Sequence, residues 1–363
     1  MRIIQIVTNF SIGDAIGNDI LAIDEALSAA GYDTRVMALT IHEKLASRAS
    51  GVDFSQIERE DLVLFHKATG DPFPGPAAAL RCAKGLIYHN ITPPRFFLPY
   101  DEVMAWNLWR GRRQLRKLAA IMDFAWGDSG YNCRELEQAG FPKEKLSVLP
   151  ILFSKKSAQI QPDAATLERL RKTAGTKLLF IGRVAPNKRQ EDIIKLYCHY
   201  LRDADPDAKL YLVGLWTGFE KYYAKLKGFA ADLGLADHQV VFTGHVTEAE
   251  KAAYLASADA FVCMSEHEGF CIPLLEAMAW DLPVAAYASS AVPETLGDNG
   301  LLFREKNFRE MARQTRRACR EEGFRREVLR RQRERLEHFA PERTRERLLE
   351  LIIREIESRR ADR

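Results

Sequence analysis

Short apolar runs alternate with helical patterns along the whole chain, and this alternation limits the fold more than any other feature of the sequence. It is typical of parallel strands joined by crossover helices. In the first half, the strand-like runs are Ile3–Val7, Thr34–Ala38, Leu62–Phe65, Gly85–Tyr88, Phe124–Trp126 and Leu146–Leu149. In the second half, a new series comprises Lys177–Ile181, Lys209–Val213, Val240–Phe242, Ala260–Val262 and Val284–Ala286. The pattern predicts an α/β protein with two parallel sheets.

A polar stretch separates the two series and marks the predicted domain boundary. Residues 150–167 are polar, contain Pro162 and lack a regular period, and we place the interdomain linker at their start. The tail, residues 342–359, has an amphipathic helical pattern that needs a partner surface. We therefore expect an N-terminal domain of residues 1–150 plus 341–363 and a C-terminal domain of residues 151–340.

Composition excludes several classes of protein. The 53 basic and 50 acidic side chains leave a net charge of +3, which does not support nucleic-acid binding. The six cysteines form no CxxC pair and no His/Cys cluster at metal spacing, so the sequence predicts neither a disulfide framework nor a zinc site. No apolar run approaches the roughly 18 residues that a membrane span needs, and the first residues resemble a strand rather than a signal peptide. We expect a cytoplasmic protein.

One segment, residues 264–278, predicts a turn that binds an anion. It follows a buried-looking strand, and Pro273 fits the first turn of a helix, where its missing N–H costs nothing. Gly269 permits the tight turn between strand and helix. Backbone amides at a helix N-terminus attract anions. The amides that we expect there are those of Gly269, Phe270 and Cys271.

Two glutamates flank this turn. Glu268 lies on its lip, and Glu276 lies about one turn into the helix. Carboxylates accept paired hydrogen bonds from sugar hydroxyls, so a phosphate cradle between two carboxylates suits a nucleotide-sugar, with a hexose on one side and a ribose on the other. A pair of solvated glutamates beside an ordinary helix start is the alternative.

A second segment, residues 180–191, adds positive charge. It consists of a strand end, a turn at Gly182, and two separated cations, Arg183 and Lys188. Doubly wound sheets bind ligands at the carboxyl ends of their strands. A planar guanidinium and a mobile ammonium together suit a diphosphate, although a basic surface loop has the same composition. Because no metal motif is present, we expect these cations to neutralise the diphosphate without Mg²⁺, and we expect no cofactor.

Together these segments resemble a known family. The Gly182-Arg183 pair with Lys188, the stretch 242–246, the Glu268-x7-Glu276 spacing, and the motifs at 292–295 and 300–303 follow the order of the large family of retaining GT-B glycosyltransferases, group 1 or family 4-like. That family includes many bacterial mannosyl- and rhamnosyltransferases. The resemblance covers about residues 177–305. It implies two Rossmann-like domains that face each other across a cleft, with the C-terminal helix crossing back to the acceptor-binding N-terminal domain.

The resemblance also implies roles for individual residues. Arg183 and Lys188 would hold the diphosphate, Glu276 the ribose, and Glu268 the transferred sugar. Asp14 stands where many relatives have a second glycine, which leaves the shape of that phosphate-facing loop open. The implied donor site comprises Gly13, Asp14, Gly182, Arg183, Lys188, His245, Val246, Glu268, Gly269, Phe270, Cys271, Ile272 and Glu276. The implied catalytic residues are Glu268, Lys188, Arg183 and His89.

The acceptor side is less specific. His89 follows a strand of the first half, where relatives place a residue near the donor sugar and the acceptor, although a core histidine is the alternative. His66 is a weaker case of the same kind. The acceptor-side candidates are His66, Lys67, His89, Asn90 and Thr92.

Residues 106–117 combine two indoles with a run of cations on one predicted helix. Such a helix suits an anionic membrane interface or an anionic acceptor carrier, whereas a solvated charged face is the alternative. We expect a peripheral contact with the inner face of the cytoplasmic membrane, weakened by charge reversal of Arg112, Arg113 and Arg116.

The sequence thus predicts retaining transfer of a hexose from a nucleoside diphosphate sugar to a hydroxyl of a glycan or lipid-linked saccharide, in polysaccharide or lipopolysaccharide assembly. GDP-mannose is the first donor candidate, ahead of GDP- or dTDP-rhamnose and UDP-sugars. A nucleotide-sugar epimerase of the same fold is the main alternative. A silent scaffold is disfavoured because Lys188, Glu268 and Glu276 are all present, and an NAD-dependent oxidoreductase because no GxGxxG follows a strand.

Overall fold

A computed structural model describes residues 1–11, 13–153 and 159–361 of the chain. Ile12, in the predicted phosphate loop, and residues 154–158, in the predicted linker stretch, lie outside the described residues. The chain divides into two compact units. The first unit comprises residues 1–94, 103–153 and the described residues from 339 onward. The second comprises residues 95–102 and the described residues up to 338.

Strands and α-helices alternate along most of the described chain. The strands are β1 Arg2–Phe10, β2 Asp33–Ile41, β3 Ser50–Gly51, β4 Leu62–Lys67, β5 Ala83–Tyr88, β6 Phe124–Gly127, β7 Leu146–Val148, β8 Lys177–Ile181, β9 Lys209–Val213, β10 Val240–Gly244, β11 Ala260–Cys263, β12 Val284–Tyr287 and β13 Leu301–Phe303. The α-helices are α1 Ala15–Ala29, α2 Pro74–Ala79, α3 Glu102–Ala119, α4 Gly130–Gln138, α5 Ala164–Lys172, α6 Gln190–Asp203, α7 Glu220–Asp232, α8 Glu248–Ser257, α9 Ile272–Ala279, α10 Val292–Leu296, α11 Phe308–Arg320, α12 Glu322–Leu336 and α13 Pro341–Ala361.

Each unit contains one parallel sheet with the same kind of strand order. In the described part of the first unit the order is β3-β2-β1-β4-β5-β6-β7, and in that of the second it is β10-β9-β8-β11-β12-β13. In both sheets the chain starts in the middle, adds strands to one side, and then returns to add strands to the other side. This is the doubly wound Rossmann-like order, so the predicted fold class is confirmed.

Every predicted strand-like run overlaps a strand, because strands of a sheet covered on both faces are continuously apolar. Strand β4 shows this most clearly, since all six of its residues are buried. Strands β3 and β13 were not predicted. Strand β3 consists of two exposed residues, Ser50 and Gly51, without an apolar side chain, and β13 is apolar but only three residues long.

The C-terminal helix belongs to the first unit, as the fold prediction expects. In α13, Leu348, Leu351 and Ile352 are fully or almost fully buried. They pack in the same core cluster as Ile23 of α1 and Leu64 of β4. The core of the first unit is therefore the partner surface that the amphipathic pattern of the tail requires. Among the described residues, no helix has the length and apolar character needed to cross a membrane.

Candidate active site

In the second unit the strand order reverses between β8 and β11. Strand β8 pairs with β9 on one side and with β11 on the other. Loops that leave two such strands diverge and open a crevice at their carboxyl ends, where doubly wound sheets bind ligands. The loop after β8 carries Gly182, Arg183 and Lys188, and the loop after β11 carries Glu268. The two predicted motifs therefore meet at the switch point of one sheet.

The turn between β11 and α9 has the predicted form, with one difference. Pro273 lies in the first turn of α9, as predicted. The residue in the left-handed conformation is Cys271, with φ 74°, and not Gly269. A side chain makes that conformation costly, so surrounding contacts must hold it. The Ser290 hydroxyl accepts a hydrogen bond of 2.8 Å from the Glu268 amide, and the Thr295 hydroxyl donates one to the Phe270 carbonyl.

Lys188 and Glu268 form a close ion pair across the two loops. The Lys188 ammonium lies 2.6 and 2.7 Å from the two carboxylate oxygens of Glu268. The Glu268 side chain is 8% exposed, whereas that of Lys188 is 21% exposed. Burial acts to lower the pKa of Lys188, but the Glu268 carboxylate, together with Cys271 and Cys263, outweighs burial and raises that pKa above its ordinary value. Lys188 is therefore cationic in the site.

Glu276 is paired in the same manner. Its carboxylate lies 2.9 Å from the ammonium of Lys251, which also lies 2.8 Å from Glu248. Burial acts to lower the pKa of Lys251, and the Glu276 carboxylate raises it above its ordinary value. The sequence did not single out Lys251, because nothing in its neighbourhood on α8 indicates that α8 presents a side chain to α9.

Asn187 is a second residue that sequence reasoning missed. Its side-chain amide donates to the carbonyl of His267 at 3.0 Å, and its own carbonyl accepts from the amide of Glu266 at 2.9 Å. Asn187 is buried, so both hydrogen bonds are shielded from water. It thus locks the loop after β8 to the loop after β11. The sequence signals this role only by placing an asparagine directly before Lys188.

The remaining donor-side candidates lie around the loops after β9 and β10. The guanidinium of Arg183 lies 4.8 Å over the ring of Phe219 and 3.4 Å from the carbonyl of Thr217. His245 is exposed and Val246 is half-buried. Gly182 precedes Arg183 with φ 151°, and Ile272 begins α9.

An aromatic group lies beside the end of β10. The rings of Trp216 and Tyr223 stack with centroids 4.4 Å apart, and Phe242 meets Tyr223 edge-on at 5.2 Å. Gly244 lies against the indole, since a Cβ there would be 3.2 Å from the Trp216 ring. Its φ of 72° also favours glycine. The sequence predicted a base near His245 and Val246 but did not indicate this stacked pair.

In the first unit, the predicted phosphate loop ends in a helix cap. Gly13 has φ 81°, which glycine tolerates. Asp14 is the N-cap of α1, and its carboxylate accepts a hydrogen bond of 2.6 Å from the amide of Gly17. This cap is the physical reason for an aspartate at a position where a second glycine is the common choice among relatives.

His66 and His89 lie together in a buried chain of hydrogen bonds. His66 contacts the Gln5 side chain at 3.0 Å and His89 at 2.8 Å, and His89 contacts Asp128 at 3.1 Å. Gln5 donates its amide to the Ile20 carbonyl, so its oxygen faces His66.

The pKa directions define where the protons lie. Burial, with the charge on His89, lowers the pKa of His66 well below its ordinary value, so His66 is neutral and donates from Nε2 to Gln5. Its Nδ1 then accepts from His89. Burial disfavours a charged His89, but Asp128 outweighs burial and raises the pKa of His89. In its charged form, which Asp128 favours, His89 donates from both ring nitrogens, to His66 and to Asp128.

The other acceptor-side candidates are also engaged. The Lys67 ammonium is buried, 2.5 Å from Asp71 and 2.6 Å from the side-chain oxygen of Gln114. Asn90 has φ 77°, and its side chain donates to Asn132 at 2.8 Å. Thr92 is half-buried. These residues shape the loops after β4 and β5, and Gln114 on α3 was not predicted.

Comparison with known proteins supports this description. Residues 167–336 match the family model for glycosyl transferases group 1. Over 196 residues the chain is 32% identical to the GDP-mannose-dependent alpha-(1-6)-phosphatidylinositol monomannoside mannosyltransferase of Mycolicibacterium smegmatis. The match covers 52% of this chain and 50% of that protein. Over 151 residues it is 26% identical to the serotype-specific mannosyltransferase WbdA of Escherichia coli, which covers 42% of this chain and 18% of that protein.

The structural comparison covers nearly the whole chain. The crystal structure of Anabaena Alr3699/HepE in complex with UDP-glucose has a TM-score of 0.76 with this protein, over 97% of this chain and 99% of that chain, at 16% identity. The fold is therefore of the GT-B type. Within it, residues 167–336 are similar in sequence to glycosyl transferases group 1. The chain spans about half of the mycobacterial relative and less than a fifth of the other.

Proposed function

We propose that this protein transfers a hexose from a nucleoside diphosphate sugar to a hydroxyl of a glycan or lipid-linked saccharide, with retained anomeric configuration. GDP-mannose is the first donor candidate, because similar proteins are named as GDP-mannose-dependent mannosyltransferases. One observation carries the proposal: at the switch point of the second sheet, two buried carboxylates each pair with a lysine, beside the start of α9.

The donor would bind when the charged side chains of this site exchange their present partners for groups of the donor. Lys188 holds Glu268 through two short contacts, and its long, partly exposed stem allows its ammonium to turn toward a diphosphate. Glu268 would then accept hydrogen bonds from the hydroxyls of the transferred sugar. Glu276, held by Lys251, would receive the ribose, and Arg183 would add a second cation to the diphosphate. The stacked Trp216 and Tyr223 offer an apolar edge for the base.

The proposed chemistry takes place on one face of the sugar. The bond between the anomeric carbon and the diphosphate oxygen breaks, a bond to the acceptor oxygen forms, and the acceptor proton passes to the departing phosphate. The protein contributes positioning, and it stabilises the negative charge that develops on the diphosphate. Lys188 and Arg183 supply that charge stabilisation in the proposal, and no metal is required.

A donor panel tests this proposal. GDP-mannose, GDP-glucose, GDP-rhamnose, dTDP-rhamnose, UDP-glucose, GDP and mannose are compared by thermal shift, because a ligand at about 100 times its Kd stabilises the native state by about 2.7 kcal/mol. We expect the largest shift with GDP-mannose and a smaller one with GDP. If no nucleotide or nucleotide-sugar stabilises the protein, the donor site is wrong. Conversion of a donor to its epimer without an acceptor would instead establish the epimerase alternative.

A second observation favours peripheral membrane contact. Helix α3 exposes a stripe at helical spacing that begins with Val103 and Trp106 and continues with Trp109, Arg113 and Arg116. The indoles stack with centroids 4.6 Å apart, and Arg113 lies over the ring of Trp109 at 4.8 Å. Exposed indoles followed by cations suit the headgroup region of an anionic bilayer. We propose that this stripe rests on the inner face of the cytoplasmic membrane, near a lipid-linked acceptor.

A further inference from the structure

Two cysteines and a carboxylate lie close together at the turn between β11 and α9 of the second unit. The sulfur atoms of Cys263, at the end of β11, and Cys271, at the start of α9, lie 4.0 Å apart. With a carboxylate oxygen of Glu268, these ligand atoms all lie within 4.8 Å of one another. All three residues are buried. A strand, a turn and a helix start thus bring together side chains whose spacing in the sequence predicts no metal site.

The distances suit a metal ion better than a disulfide. A tetrahedral Zn²⁺ with Zn–S bonds of about 2.3 Å holds two thiolate sulfurs about 3.8 Å apart. The observed 4.0 Å therefore needs a change of only a few tenths of an ångström. A disulfide would require the same sulfurs to close to about 2.05 Å, and Cys271 belongs to a turn that Ser290 and Thr295 hold in place. Two sulfurs and one oxygen are ligands that favour zinc over magnesium or calcium.

The charges of the cluster also permit a divalent cation. In the described state the ammonium of Lys188 neutralises Glu268. When a divalent cation binds, the two thiol protons leave, and the cation then balances the two thiolates while Lys188 still balances Glu268. The occupied cluster therefore carries no net charge, and it avoids an unbalanced buried charge, which is the costliest case. One oxygen of Glu268 would ligate the cation while the other keeps its contact with Lys188.

We propose that Cys263, Cys271 and Glu268 form a binding site for a thiophilic divalent cation such as Zn²⁺. The cation takes the carboxylate that the sugar would otherwise use, so it inhibits the protein in competition with the donor. The binding step stands independently, whereas the inhibition rests on the proposed function of Glu268.

The binding step is tested on the full-length, metal-free protein with Co²⁺ as the probe. We expect one equivalent of Co²⁺ to produce thiolate-to-cobalt charge-transfer absorption, and one equivalent of Zn²⁺ to remove it. Cys263→Ala and Cys271→Ala should each weaken binding by more than the roughly 10–100-fold that loss of an outer-shell partner costs. Cys319→Ser, which changes a cysteine elsewhere in the same unit, should bind as the wild type does.

A measurement on the wild type alone covers the case in which a cysteine variant does not fold. Zn²⁺ binding should release about two protons per ion, because both thiols ionise, and calorimetry in two buffers of different ionisation enthalpy measures that number. Absence of charge-transfer absorption, absence of proton release on addition of Zn²⁺, or a Cys263–Cys271 disulfide in the purified protein would each overturn the proposal.

The activity assay separates this inference from the proposed function. We expect Zn²⁺ to inhibit sugar transfer by the wild type, with relief at high donor concentration, and to leave the Cys263→Ala variant active. If cobalt binds as described but no donor is ever turned over, the cation site stands and the proposed function fails. If transfer proceeds and cobalt does not bind, the opposite holds.

Discussion

The two groups of site residues differ in how their partners hold them. In the second unit, Glu268 and Glu276 each pair with a lysine whose side chain is about one-fifth exposed. In the first unit, His89 and Asp128 are each 2% exposed, and both ring nitrogens of His89 are engaged. A lysine on a flexible stem can exchange one anion for another, whereas a ring between two fixed partners cannot move without breaking both contacts. The first arrangement suits ligand exchange and the second suits a rigid support.

The largest expected effect tests the exchangeable side of this comparison. Replacing Lys188 by alanine should lower turnover by about 10²–10³-fold or more, the cost of losing one charge that stabilises the transition state. Replacing Glu276 should lower it by about 10²-fold, because the ribose is no longer held and the donor is misplaced. The measurement is kcat and KM with the preferred donor, and unchanged circular dichroism confirms folding. Lys172→Ala is the matched control, since Lys172 is 75% exposed and pairs with a surface glutamate. Near wild-type rates for both site variants would refute the assignment.

The next prediction concerns the rigid support. Asp128→Asn should lower the free energy of unfolding by about 3–5 kcal/mol, because the buried His89 imidazolium loses its counter-ion. Urea unfolding measures the loss, and Asp237→Asn, at a carboxylate that is 86% exposed, serves as the control. Normal stability together with a large loss of turnover would instead indicate that His89 contacts the substrate directly, as the family resemblance implies.

Asp19, near His89 in the first unit, should make the stability of this rigid group depend on pH. Burial raises the pKa of Asp19 to about 7, although the charge of His89 acts to lower it. Since this folded-state pKa lies above the ordinary value of 3.8, the wild type loses stability as the pH rises toward 7. Asp19→Asn keeps an oxygen to accept the Leu152 amide, so its stability advantage should grow by about 2–3 kcal/mol between pH 5 and pH 8. A constant difference in unfolding free energy across that range would contradict the prediction.

The smallest effects concern the cations of α3, which divide in the same way. The side chain of Arg112 is held within the first unit, since it donates to the carbonyl of Ile91 at 2.6 Å and to Glu135 at 2.8 Å. It therefore does not belong to the exposed stripe as the sequence predicted. Arg113→Glu and Arg116→Glu should each weaken binding to anionic vesicles by at least about 1 kcal/mol, or about fivefold.

Vesicle flotation checks this prediction, with phosphatidylglycerol vesicles compared with neutral ones. Lys143→Glu, at an exposed lysine elsewhere in the first unit, is the control for charge alone. Equal binding of the wild type and the two arginine variants would eliminate the proposed membrane contact.

Much of the fold follows from local sequence. Buried parallel strands are short and continuously apolar, so a run such as Leu178–Phe180 can be recognised as a strand without knowing which strands lie beside it. Ser129 is a residue type that often caps helices, and its hydroxyl accepts from the amide of Asn132 at 3.2 Å at the start of α4. The short edge strands β3 and β13 escaped prediction because two or three residues are too few to form a pattern, so only pairing with a neighbouring strand defines them.

The turn after β11 is the part of the candidate site that local sequence determined most fully. Its proline, its two glutamates and the cations after β8 lie within two short segments, so the sequence alone determined that a strand, a turn and a helix start would carry this charge pattern. Side chains within one or two turns of each other are set by local geometry, and local geometry follows from local sequence.

The tertiary structure alone decided what those residues contact. Lys251 reaches Glu276 across 25 positions, Asn187 reaches the loop after β11 across 80, and His89 reaches Asp128 across 39. The left-handed turn at Cys271 brings it to Cys263, although nothing in their spacing indicates a pair. Such contacts depend on which strands lie side by side and on how the helices pack over them, and those are properties of the whole sheet that no short segment specifies.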